Sequence, residues 1–212
     1  MMEQNKYFFM MEDEINSLSI DDIKEFGFAL LHTIPSYFFT APASSSGKYH
    51  PQNDLGEGGL VRHSISVRKM LRHLLEPNGY YNFSVREIEL LELATLFHDC
   101  FKSGSQLEYE ANIHTKFIHP VLAANHIIME AVNHNFDYES ANFIASAIIS
   151  HMGQWNTNHS EPGTLPLPNT PAQKVLHLAD YLASRKDINM DIPDPYKSDP
   201  DAATASDEQK GE

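Results

Sequence analysis

Five stretches of this chain repeat apolar residues at the three- and four-residue spacing of a helix, and each carries a histidine or an aspartate within it or at its end. In order they place His63, the adjacent pair His98 and Asp99, then His119, His151 and Asp180. A polar or charged group set among apolar residues is costly to bury unless something partners it. Such residues need partners if they are buried, and helices are the elements expected to carry them.

Local signals give the boundaries. Residues 59–75 (GLVRHSISVRKMLRHLL) read as a helix ended by Pro77-Asn78-Gly79. Ser84 and Glu87 form a capping box ahead of a helix running to about Phe101. His119-Pro120 opens a helix to about Asn133, with proline in its first turn. Residues 138–152 make another, and Thr170 caps a last one, with Pro171 at its first position, to about Asp187. A further helix is expected over 19–34, stopping before Pro35. Residues 40–58 and 153–169 read as loops, and 103–118 as a mixed stretch. There is no internal repeat and no convincing strand. The expected fold class is all-α, a single-domain helical bundle with its polar cluster in the core.

The 212 residues suffice for one domain with a substantial core. The net charge of -14 is concentrated at the ends. Residues 1–25 hold seven acids against Lys6 and Lys24, and residues 189–212 seven against Lys197 and Lys210. The organisation expected is an acidic N-terminal segment over 1–18, a helical domain over 19–188, and an acidic, disordered tail over 189–212. Both acidic ends read as solvating segments. The broad basic field of a nucleic-acid polymer binder is missing. No apolar run reaches the ~20 residues of a membrane helix, no secretory signal is evident, and the single cysteine, Cys100, fits a reducing compartment, so a cytoplasmic location is expected.

His63, His98, Asp99, His119, His151 and Asp180 have the mix of nitrogen and oxygen donors that suits Fe, Mn, Co, Ni or Zn better than Ca, and they are enough for one or two divalent metals. For Asp180, a buried arginine or histidine partner is the other explanation. Lys102 follows His98 by four residues, and its ammonium would stand near an oxyanion, since it is a donor only. The loop from Pro42 to His50 offers hydroxyls, Gly47, Lys48 and His50 that would cradle phosphate, although a plain linker is the simpler reading and the P-loop pattern is absent. Arg62, beside His63, is a second cation expected near phosphate. Trp155 would stack a base at a pocket mouth, or simply pack. Cys100 is expected to be a buried, inert thiol. His126, His134 and His177 are taken as structural, and His114 is a ligand, a phosphate contact or merely exposed.

The blocks GGLVRHS, LFHDCFKSG, IHPVLAANHI, IISHMGQW and LHLADYL, spread over residues 55–188, resemble the HD-domain metal-dependent phosphohydrolases. The resemblance implies that His63, His98, Asp99 and Asp180 hold one metal. It implies, for the two-metal type, that His119 and His151 hold a second, with Asp99 shared. The doublet of that family is usually followed by Ile/Val-Gly-Lys; here Cys100-Phe101-Lys102 keeps the lysine and loses the glycine. The function implied is cleavage of a phosphoester or phosphoanhydride in a small nucleotide-like substrate by a metal-activated water, with Asp99 and Lys102 as catalytic groups. A di-iron oxygenase of the same fold and a nucleotide-sensing module without turnover are the alternatives. The partner expected is a small phosphorylated substrate, with neither a nucleic-acid polymer nor a membrane, and homo-oligomers stay open.

Overall fold

The computed structural model describes residues 5–44, 47–76, 81–112, 114–158, 163–188, 190 and 192. Among them are α1 (Lys6–Asn16), α2 (Asp21–Leu31), α3 (Gly59–Leu75), α4 (Val85–Phe97), α5 (Gln106–Glu110), α6 (His119–Asn133), α7 (Tyr138–Ile149) and α8 (Pro171–Ala183). Short 3-10 turns stand at Ser36–Phe39, Gln52–Asp54 and Gly153–Trp155. The only β pairing among the described residues is one isolated bridge, Thr157 to Thr164. The fold is all-α, as the periodicity requires.

α4 is the axis of the bundle. Every residue from Glu89 to Phe97 is buried, as expected of a helix apolar on nearly all sides. The capping box starts it: Ser84 Oγ accepts from the Glu87 amide, and the Glu87 carboxylate accepts from the Ser84 amide. α3, α7 and α8 pack around it, α3 and α8 also pack on one another, and α6 covers α7. Thr170 caps α8 through a second capping box, with Gln173. The helix expected to run to Phe101 stops at Phe97, and the doublet stands in the turns just beyond. The mixed stretch 103–118 contains α5, started by a third capping box, Ser105 with Glu108.

The N-terminal segment departs from its expected role as a solvating tail. Residues 6–16 form α1, which buries Tyr7, Phe8, Met10, Met11 and Ile15. The physical reason is amphipathicity: Glu12, Asp13 and Glu14 lie off that apolar face. Asn5 caps the helix by accepting from the Tyr7 amide at 2.9 Å. Glu14 then pairs with Arg68 of α3, which is 1% exposed and also held by Glu92 of α4 at 2.5 Å. Glu92 in turn takes Arg72 at 2.7 Å. A buried guanidinium needs such partners, and here they tie three helices together. Glu89, also on α4, accepts from the Ile20 amide at 2.9 Å and from the amide and hydroxyl of Ser19, anchoring the chain where it enters α2.

No helix among the described residues is long and apolar enough to cross a membrane. The acidic C-terminal stretch 189–212 lies outside the described residues, apart from positions 190 and 192.

Candidate metal centre

The helix ends deliver the six expected side chains to one place. His63 is in the second turn of α3, His98 and Asp99 follow α4, His119 opens α6, His151 follows α7, and Asp180 lies in the last turn of α8. His63, His98, Asp99, His119 and His151 are all buried. Donor atoms of His63, His98 and Asp180 lie within 4.8 Å of one another, as do those of His98, Asp99 and His151. Asp180 Oδ1 stands 3.1 Å from His63 Nε2 and 3.7 Å from His98 Nε2. Asp99 divides its oxygens. Oδ1 faces His119 Nε2 at 3.0 Å and His151 Nε2 at 3.6 Å, while Oδ2 faces His98 Nε2 at 3.7 Å and receives Lys102 Nζ at 2.6 Å.

Each imidazole is oriented from behind. Nδ1 of His98 stands 2.7 Å from the Thr95 carbonyl, Nδ1 of His119 2.6 Å from that of Lys116, and Nδ1 of His151 2.8 Å from that of Ile148. A carbonyl only accepts, so Nδ1 carries the proton and donates it, leaving Nε2 as a lone-pair donor toward the cluster. His63 uses a carboxylate instead: its Nδ1 is 3.1 Å from Asp54 Oδ2. Carbonyl and carboxylate partners of this kind are the usual outer support of metal-ligating histidines.

Two observations test whether a divalent metal fits. His98 Nε2 and Asp99 Oδ1 are buried and have no hydrogen-bond partner among the described residues, and such orphans are rare unless a ligand or ion takes them. Nε2 of His119 and Nε2 of His151 face each other at 3.2 Å, with both Nδ1 atoms donating to carbonyls. Two lone pairs so placed repel without a cation between them. Burial pushes the His119 pKa down, reinforced by His151 and Lys102 against the pull of Asp99, which favours the neutral ligand form. Burial would raise both carboxyls. Lys102 and the histidines nevertheless hold Asp99 well below the usual range, and His63 and His98 do so for Asp180, so both offer carboxylates. The residues fit the metal.

Residues 60–185 match the HD domain family. The chain belongs to the HD-domain family. No curated protein and no solved structure matches the chain. HD domains are for the most part metal-dependent phosphohydrolases, and the cluster of this HD domain suits a divalent metal. The missing glycine of the HD doublet has a structural account. Phe101 adopts an ordinary backbone conformation and packs on His126, and the left-handed turn falls at Gly104, φ +81°. Tyr37 fixes that turn, donating to the Gly104 carbonyl at 2.8 Å and accepting from the Ser103 amide at 3.0 Å.

The cluster forms the floor of a cavity of about 400 Å³, a size typical of small-ligand sites. His50 lines it, with Nδ1 3.0 Å from Asp54 Oδ2. Trp155 lines it too, 45% exposed and stacked on Tyr181 at 5.5 Å. Arg62 does not take the phosphate-facing position expected of it. Its guanidinium donates to the carbonyls of Asn53, Leu55 and Glu57 and lies over the Tyr7 ring, so it clamps the loop before α3. Lys48 is not among the lining residues; its ammonium stands over the ring of Tyr49, which is. His177, taken as structural, contacts the His151 carbonyl through Nδ1 at 2.7 Å. His126 meets Thr33 Oγ1 at 2.9 Å, His134 meets Glu130 at 3.3 Å, and His114 is exposed. Cys100 is fully buried, and burial pushes its thiol pKa up, as an inert role requires.

Sequence reasoning missed Asp54 and Arg185. Asp54 is fully buried and touches both His50 and His63. Its sequence signal was weak: an acid in a Pro- and Gly-rich loop nine residues before His63. Arg185 lines the cavity just past α8, five residues beyond Asp180.

Proposed function

We propose that this HD domain is a metal-dependent phosphohydrolase that cleaves a phosphoester or phosphoanhydride of a small, nucleotide-like substrate. The observation that carries the reading is Asp99. Its Oδ1 faces His119 and His151, while its Oδ2 faces His98 and holds the half-buried Lys102, at the floor of a cavity of ligand size. His63, His98, Asp99 and Asp180 would hold one metal, and His119 and His151, with Asp99 shared, a second. A bound divalent metal supplies Lewis acidity and a water nucleophile at neutral pH.

The chain's own groups do the rest. Burial lowers the Lys102 pKa, but Asp99, first by charge and then by its hydrogen bond, outweighs it, so the lysine stays an ammonium. Its two remaining N–H groups are donors to a phosphoryl oxygen, whose charge grows as the bond breaks. The Nδ1 partners keep the four imidazoles from turning, so the site changes little as the reaction proceeds. Tyr49, Met152 and Trp155 give the cavity wall apolar faces for an organic leaving group. A cavity of this volume favours small molecules over polymers, and Trp155, exposed at its wall, would stack a base.

The test is incubation of the Mn-loaded protein with a panel of nucleotides, with Asp99→Ala as control and products identified by mass spectrometry. Release of phosphate or pyrophosphate by the wild type alone supports the reading. Turnover that requires iron and consumes oxygen, with no phosphate released, overturns it in favour of oxygenase chemistry.

A further inference from the structure

The cavity is lined by two permanent cations among the described residues, and they differ in how they are held. Lys102 stands at the floor, ion-paired with Asp99 at 2.6 Å. Arg185 has no carboxylate within ion-pairing distance among the described residues. Its Nε donates to the Tyr181 carbonyl at 3.2 Å and its Nη2 to Ser184 Oγ at 3.3 Å. Its guanidinium carbon lies over the ring of Tyr181, at 4.6 Å from the centroid, and over that of Tyr49, at 5.6 Å. These contacts orient the group and leave Nη1 without a partner among the described residues.

Tyr49, Tyr181, Ser184 and Arg185 all line the same cavity as the metal cluster. A half-buried guanidinium braced over two aromatic rings, with part of its donor edge unused, is arranged to take an anionic oxygen group, for which its planar fork is suited. That group is a different one from the group at the floor, where Lys102 and the metal that the cluster would hold supply the positive partners. Arg62 does not compete for this role, because three loop carbonyls take its donors.

We infer that Arg185 is a specificity residue that binds a second phosphate of the substrate, so the class preferred is a nucleoside di- or triphosphate rather than a monophosphate. The inference rests on the reading of the cavity floor as a phosphate site and deepens it. Arg185 touches the part of the substrate that is not attacked, so its loss acts on binding before chemistry.

The test uses the full chain loaded with Mn, with mass spectrometry of each titrated sample to confirm that the ligand survives intact. Isothermal titration compares the β,γ-methylene analogue of ATP with AMP, for wild type, Arg185→Ala and Arg185→Lys. Circular dichroism confirms that each variant is folded. The expected result is that Arg185→Ala weakens the triphosphate analogue 30-fold or more and AMP less than 3-fold, with Arg185→Lys between. Equal weakening of both ligands, or none, overturns the inference. The hydrolysis panel separates the two readings. Selective loss of the triphosphate analogue in a protein that hydrolyses nothing leaves Arg185 as a phosphate reader and defeats the hydrolase. Hydrolysis by a protein whose variants do not discriminate defeats the role of Arg185 alone.

Discussion

Asp54 Oδ2 stands 3.1 Å from Nδ1 of His63, on the opposite side of the ring from the Nε2 that faces Asp180. The carboxylate fixes the tautomer, orients the ring and raises the basicity of the ligand nitrogen.

Replacing Asp54 with Asn or Ala is therefore expected to weaken metal affinity by about 10–100-fold, although Asp54 is not itself placed among the ligands. Metal titration followed by elemental analysis checks this. Affinity equal to wild type would show that the pair is only structural.

Asp99 and Lys102 are expected to separate binding from chemistry. Asp99→Ala removes the carboxylate shared by both groups of imidazoles, so metal content and hydrolysis should fall together. Lys102→Met should keep at least one metal and lower kcat by about 100-fold, the scale of losing one charge-stabilising donor. Metal content and turnover measured on the same preparations decide it. Lys102→Met turning over at the wild-type rate would remove the lysine from the mechanism.

The six clustered side chains and most helices were legible because both leave periodic marks. An acid or imidazole on an apolar helix stands out, and capping boxes mark the helix starts. α1 was not legible, because a count of its acids hid the apolar face formed by Tyr7, Phe8, Met11 and Ile15. The arginines failed for another reason. Adjacency to His63 says nothing of where a long side chain goes, and Arg62 turns to loop carbonyls while Arg185 turns to the cavity. Asp54 was missed because loop residues carry no period from which a direction can be read.

Acid should loosen the helix junction through Glu92. Burial alone would raise its pKa, but Arg72 and Arg68 hold it below the usual carboxylate value. Its contribution is therefore complete above the unfolded value of about 4.3 and is lost as pH falls through the lower folded value. Glu92→Gln should cost about 3 kcal/mol at neutral pH by leaving Arg68 short of a partner, and it should flatten the fall of Tm below pH 4.5. Thermal melts across pH 3–7 test both. A Tm that falls with acid as steeply in the variant as in the wild type would place the acid sensitivity elsewhere.

Gly153→Ala is expected to disturb the second metal group from outside it. The glycine has φ +55°, where an alanine is strained, and an added Cβ would overlap the His177 ring. His177 is held at the His151 carbonyl, so its displacement should reach His151. We expect a lower Tm and a loss of one metal equivalent, read by melting and elemental analysis. Full metal content at an unchanged Tm would mean that the ring moves aside at no cost.

The Tyr7 ring occupies the space over Gly58, where φ is +69° and a Cβ would collide with it, and the same ring lies under the Arg62 guanidinium. Tyr7 belongs to α1, whereas the family match begins at residue 60. A protein trimmed to the family boundaries would lose both the loop that carries Asp54 and the ring that supports it, and Arg68 would lose Glu14. The stretch that the family match covers is thus shorter than the unit that folds, and the N-terminal helix acts as its keystone.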